Sequence, residues 1–216
     1  MQENSTSEYD HNENPSVLYV LSYWFSVIFH PLFHFIYVFL VTIFLTPGNV
    51  SNADPVSLFI FSSLLFLNTT LFPIFGTYLL TGDIFLQKAR KRTGAYAVTI
   101  FFYIIAYFFL WRMPVYDFIK AFMLSIICVM ILLMALNLKW KISMHSTAGG
   151  SLIAFFVYLY YIMPEIYFVP LLISIIIAGL LGSSRLKLKV HNNVEIYAGY
   201  ITGFTITAIV MGQMLP

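Results

Sequence analysis

Ser184, Arg185, His191 and Glu195 stand in the order S-R-x-x-x-x-x-H-x-x-x-E. On a helix, residues four apart share a face, so His191 and Glu195 are expected to touch. A carboxylate on one imidazole nitrogen fixes the tautomer and makes the other nitrogen a better base or nucleophile. The same residues also fit a plain helix start, with interfacial basic side chains and a structural His–Glu pair. Gly199 and Gly203 continue the stripe at the same spacing. Small residues let a second helix come close, so this face is expected to be buried in a bundle.

A second group lies upstream: Lys141, Ser143 and His145, followed by Gly149 and Gly150. A helix N-terminus with free N–H groups beside Ser and Lys is a ready anion site. It is equally a hydroxyl N-cap beside snorkelling lysines. His30 and His34 also lie four apart, beside Pro31. Two imidazoles with no nearby carboxylate make a poor metal site, and a kinked structural or interfacial role is expected for them. No metal and no cofactor is called for by these patterns.

The elements that must position these residues are membrane helices. Of 216 residues, 60% are hydrophobic and 9% charged, against roughly 25% charged in a soluble domain. A spanning helix needs roughly 20 mostly apolar residues, and in hydrocarbon such runs must satisfy their own backbone groups as helices. The fold expected is all-α, a polytopic transmembrane bundle of six to seven spans. The net charge of +2 gives no reason to invoke nucleic acid, and Cys128 is the only cysteine, so no intrachain disulfide forms.

Residues 1–16 hold four acids and no Lys or Arg. They read as a disordered acidic tail rather than a secretory signal, leaving 17–216 as a single domain. The first apolar run extends from Val17 to Leu45 and is interrupted at His30-Pro31. It is either an interfacial turn followed by a span or one kinked span. Further spans are expected at about 57–80, with a kink at Pro73, then 95–111, 118–136, a fifth ending near Met163, 166–181, and a last one ending near Met214. Polar segments 81–94, 137–150 and 182–195 are each separated by two crossings, so all three fall on one membrane face. Nine of the eleven Lys and Arg residues lie in them, and the positive-inside rule leans that face towards the cytoplasm.

In its motifs the chain resembles the type-2 phosphatidic acid phosphatase superfamily. That family carries Lys, six residues, Arg-Pro; then Pro-Ser-Gly-His; then Ser-Arg, five residues, His, three residues, Asp. The third motif is matched at Ser184, Arg185 and His191, with Glu195 for Asp. The second keeps Ser143 and His145, with Ile142 for Pro and Met144 for Gly. From the first, Arg92 is carried over, with Lys88 less securely placed and Thr93 standing where the family has Pro. The resemblance covers about residues 81–210. It implies a lipid phosphatase or phosphotransferase acting on a phosphate or diphosphate of an isoprenoid carrier, phosphatidate-type lipid or lipid A. His191 would form a phosphohistidine, Glu195 would orient it, and His145 would protonate the leaving group. Arg185, Lys141, Ser143, Ser184 and Arg92 would bind phosphate. No metal or cofactor is implied, the partners are membrane lipids, and the expected location is a bacterial inner membrane. A non-catalytic relative that binds a lipid head group or acts as a scaffold is the alternative. A small transporter is a third reading, disfavoured because few ionisable residues lie at mid-span. The oligomeric state stays open, a homo-oligomer included.

Overall fold

The computed structural model describes residues 16–46, 54–82 and 89–214. The acidic tail, apart from Ser16, and Lys88 lie outside the described residues. Every regular element within them is helical: α1 (Val17–Ile28), α2 (Pro31–Leu45), α3 (Pro55–Phe66), a π turn (Leu67–Leu71), α4 (Phe72–Thr81), α5 (Ala89–Trp111), α6 (Asp117–Leu136), α7 (Met144–Ile162), α8 (Pro164–Lys187) and α9 (Asn193–Met214). The chain is an all-α membrane protein, as its composition requires.

Local chemistry sets the boundaries. Asp54 caps α3, its Oδ1 accepting from the Val56 N–H at 2.9 Å, with Pro55 at the first helical position, where a missing N–H costs nothing. The kink expected at Pro73 appears as the π turn just before it. Pro73 has no N–H for the Thr69 carbonyl. The ladder is reset by a wider bond from the Phe72 N–H to the Leu67 carbonyl. Thr70 uses its hydroxyl to reach the Leu32 carbonyl at 3.0 Å, which ties this turn to α2.

The rod Pro55–Thr81, the α5 stretch Lys91–Trp111, and α6, α8 and α9 are each long and apolar enough to cross a membrane. Helices α1 and α2 meet that test only as a pair, bent by 62° at the break. At 1.5 Å per residue their 12 and 15 residues reach about 18 and 22 Å, short of a hydrocarbon core of about 30 Å. Expected as a span, α7 fails the apolarity test, and its position explains how a polar helix is tolerated. It packs on α2, α6, α8 and α9, and His145, Ser146, Thr147 and Ser151 are all buried. The bundle core beside it is aromatic: Phe122 lies 4.5 Å from Phe155 and 6.3 Å from Phe35, centroid to centroid. These rings join α6, α7 and α2.

Backbone contact seals α7 to α9, on the small-residue stripe expected at Gly199 and Gly203. A Cβ on Gly203 would lie 1.9 Å from the Thr147 carbonyl oxygen, and one on Gly150 2.2 Å from that of Tyr200. Only glycine permits this approach. Ser151 spans the same seam, donating to the Gly203 carbonyl at 3.2 Å.

Candidate functional site

The α8–α9 connection is built around Glu195. The Glu195 N–H donates to Asn192 Oδ1 at 2.9 Å, and the Asn192 N–H reaches Glu195 Oε2 at 3.4 Å. This reciprocal arrangement is a capping box that starts α9. Glu195 Oε2 also accepts from His191 Nδ1–H at 2.7 Å. One carboxylate therefore nucleates the helix and fixes the imidazole, leaving Nε2 of His191 without the proton. The contact expected for this pair is present, together with the helix start of the plain reading. Upstream, α8 ends as Lys189 takes a left-handed conformation (φ 53°), uncommon for a residue with a Cβ. That turn brings the chain back towards α7. His191 lines an open cleft with Leu186, Lys189, Val190, Asn192 and Glu195.

Two bonds stitch this connection to the start of α7. Lys141 Nζ donates to the Val190 carbonyl at 2.9 Å, and the Ser143 N–H to the Glu195 carbonyl at 3.3 Å. Ser143 is fully buried, and its hydroxyl caps α7 by accepting from the Ser146 N–H at 3.4 Å, with Ser146 Oγ donating to it as well at 3.0 Å. Of the two readings open for this segment, anion site or hydroxyl N-cap, the N-cap is present at Ser143. Ser184 is also buried, one residue before Arg185 on the last turns of α8.

His145, in the first turn of α7, is 8% exposed and turned inward. One of its ring nitrogens, Nε2, lies 3.1 Å from the Ser26 carbonyl oxygen. A carbonyl only accepts, so Nε2 carries the hydrogen. The ring packs edge-to-face on His30, with centroids 5.3 Å apart. Arg185 is near enough for its charge to bear on His30, His145 and His191. The charge of Lys141 also bears on His191.

The expected residues Lys141, Ser143, His145, Ser184, Arg185, His191 and Glu195 thus come from two segments gathered at one end of the bundle. Arg92, from the first polar segment, is tied to the start of the second. Its Nε donates to Asn137 Oδ1 at 2.8 Å, and Asn137 Nδ2 donates to Thr93 Oγ1 at 3.0 Å. This ties α5 to the C-terminus of α6; α5 packs chiefly on α4, α6 and the π turn.

What the sequence reading missed is the elbow between α1 and α2. His30 does have the structural role expected: it caps α2, with Nδ1 accepting from the Leu32 N–H at 3.4 Å. Its ring nevertheless stands against His145, and Ser26 reaches the same histidine. A signal was available. Two imidazoles four residues apart in an otherwise apolar run need polar company.

His191, between α8 and α9, is mostly buried, its side chain 9% exposed. Burial lowers its pKa from the ordinary 6.5; the Glu195 hydrogen bond opposes this, and Lys141 and Arg185 reinforce it. The imidazole is held neutral near neutral pH, the form that can attack an electrophile. Among the described residues, no group of three or more His, Cys, Asp or Glu side chains is arranged to hold a metal ion.

Comparison with known proteins gives no family model, no curated protein and no solved structure that matches this chain.

Proposed function

We propose that the chain is a membrane lipid phosphatase or phosphotransferase that works through a phosphohistidine on His191. One observation carries the reading: the 2.7 Å His191–Glu195 pair lines an open cleft, the charges of Lys141 and Arg185 bear on His191, and that of Arg185 bears also on a second histidine, His145. A nucleophile oriented by a carboxylate, cations for accumulating charge and an acid for the leaving group are the parts that phosphoryl transfer needs.

In this reading Nε2 of His191 attacks phosphorus and the P–O bond to the leaving group breaks. The leaving oxygen takes a proton from His145, which must enter this step as the imidazolium and leaves it neutral. Glu195 stabilises the His191 ring as it becomes positive. Water then attacks phosphorus and gives its proton to the neutral His145, the P–N bond breaks, and inorganic phosphate departs; an alcohol in place of water makes the reaction a transfer. Arg185 and Lys141 hold the equatorial oxygens. The substrate is a lipid phosphate or diphosphate, and the setting proposed is a bacterial inner membrane.

A second reading is favoured by one specific observation. The Ser143 hydroxyl caps α7, Arg92 Nε is bound to Asn137 and Lys141 Nζ to the Val190 carbonyl, so three of the phosphate ligands implied by the resemblance have structural partners. A non-catalytic binder of phosphate head groups needs fewer ligands than a catalyst.

Phosphate release from a panel of lipid phosphates, with purified protein in bilayer discs, separates the two. Wild type should release phosphate and His191→Ala should not. His145→Ala should lose about 100- to 10,000-fold on alkyl phosphates, and much less on a nitrophenyl phosphate, which departs without a proton. Equal turnover by wild type and His191→Ala would remove the phosphohistidine; binding without turnover by wild type would favour the second reading.

A further inference from the structure

Behind His145 lies a set of polar atoms that the proposed chemistry does not use. His34 sits one helical turn after His30 on α2, is 3% exposed, and neither ring nitrogen has a hydrogen-bond partner. Ser26, on α1, is 4% exposed, and its hydroxyl is also without a partner. The same holds for the Nε–H of Arg185, which is buried. The elbow groups these atoms. Ser26 touches His145 through its carbonyl, His145 packs edge-to-face on His30, and His34 is close enough to act on His145 electrostatically. The elbow is held in place by Tyr37, whose hydroxyl donates to the Ile28 carbonyl at 2.9 Å, and by packing of α1 on α8.

A buried polar atom without a partner costs about 1–3 kcal/mol, and native structures leave few of them. Three such side chains, Ser26 in contact with His145 and His34 and Arg185 close enough to act on it electrostatically, point to a ligand that satisfies them. Their chemistry defines its class. Arg185 Nε–H, the Ser26 hydroxyl and a His34 N–H are donors, and Arg185 adds a positive charge. Oxygen-rich anions match that set. The place defines it further, because the atoms lie beside His145, which in the proposed reaction faces the leaving group.

We propose that the α1–α2 elbow supplies a second, buried oxyanion subsite, formed by His34, Ser26 and the Nε of Arg185, which holds the leaving phosphoryl of a lipid diphosphate. This rests on the lipid phosphatase reading for its reaction. The terminal phosphorus bonds to His191 Nε2, and its bond to the bridging oxygen breaks. The lipid monophosphate departs with a proton from His145 and its remaining oxygens on the subsite. A lipid monophosphate, whose leaving group is an alkoxide, has nothing to place there.

The test compares a prenyl diphosphate with the matching prenyl monophosphate, using wild type, His34→Leu and Ser26→Ala in bilayer discs. Ser26→Ala removes the hydroxyl and keeps the carbonyl that holds His145. Wild type should favour the diphosphate. In each variant the ratio of the two kcat/KM values should fall about 10- to 100-fold, the loss of one or two hydrogen bonds to a charged group. The unliganded His34→Leu protein should unfold at the same or a higher temperature, because an apolar side chain replaces one with unsatisfied nitrogens. An unchanged substrate ratio in folded variants would overturn the subsite. If His34→Leu does not fold, Ser26→Ala decides alone. A separate arm needs no turnover. Inorganic pyrophosphate should raise the wild-type unfolding temperature more than inorganic phosphate does, and the variants should lose that difference. Wild type inactive on both lipids, yet stabilised by pyrophosphate, would remove the phosphatase and keep the subsite; wild type showing no such difference would remove the subsite.

Discussion

The His145 ring and the Ser26 carbonyl oxygen, 119 residues apart in the chain, are joined by a 3.1 Å hydrogen bond. The one N–H of neutral His145 is therefore engaged by the backbone of α1, and as an acid the ring carries a second proton, on Nδ1. Transfer from Nδ1 leaves Ser26 in place, whereas transfer from Nε2 requires the leaving oxygen to replace Ser26 as acceptor and α1 to yield. Trp24, on α1 and 57% exposed, should report this. In a protein with Trp111 and Trp140 replaced by Phe, vanadate or a lipid phosphate should change the Trp24 emission. An emission spectrum indifferent to a saturating ligand would mean that His145 keeps Ser26 as its partner throughout.

Glu195 caps α9 and, in the proposed reaction, balances the charge on His191; substitution can separate the two. Glutamine suits the capping position as well as glutamate does, so Glu195→Gln should unfold near the wild-type temperature. It should nevertheless turn over more slowly, because the positive charge on His191 loses its counter-ion. Glu195→Ala should lose turnover and also roughly 0.5–2 kcal/mol of stability, typical of a lost cap. Thermal unfolding measured beside phosphate release checks both, and equal turnover by Glu195→Gln and wild type would deny the carboxylate a part in the chemistry.

The acid limb of the pH–rate profile should lie below pH 6.5, since burial lowers the His191 pKa from that value and only the neutral ring attacks. Glu195 raises this pKa against burial, so Glu195→Gln should move the limb to still lower pH. The effect on stability has the matching sign. With the folded pKa depressed, the unfolded chain binds more protons as pH falls through 6.5, and the His191 contribution to stability declines there. A limb above 6.5, or one that Glu195→Gln moves upward, would contradict this account.

Gly203→Ala should be among the most damaging small substitutions. Its Cβ would meet the Thr147 carbonyl oxygen at 1.9 Å, so α7 and α9 must move apart, at a cost of about 1–3 kcal/mol or more. Gly179→Ala is the control, since a Cβ there meets nothing within 4 Å. Alanine is the better helix former by roughly 0.8–1.0 kcal/mol, so this variant should be neutral or stabilised. Thermal unfolding in the same detergent orders the two, and Gly203→Ala as stable as Gly179→Ala would mean that the seam is looser than its backbone distances indicate.

The membrane helices, the placement of the polar segments on one face, and the His191–Glu195 contact could all be read from the sequence. Each follows from a local rule: twenty apolar residues make a span, two crossings restore the face, and residues four apart on a helix meet. The glycine stripe was legible for the same reason, although its partner helix was not. Tertiary structure alone decided which side chains were already engaged. Ser143 fitted both a phosphate ligand and an N-cap, and it caps α7; Arg92 resembled a phosphate ligand, and its Nε is bound to Asn137. It also decided that the elbow at His30 reaches the start of α7, where Ser26 and His30 contact His145. No spacing rule foretells a contact across 119 residues. It depends on the 62° bend between α1 and α2 and on the packing of each helix, which the periodicity of a single segment does not encode.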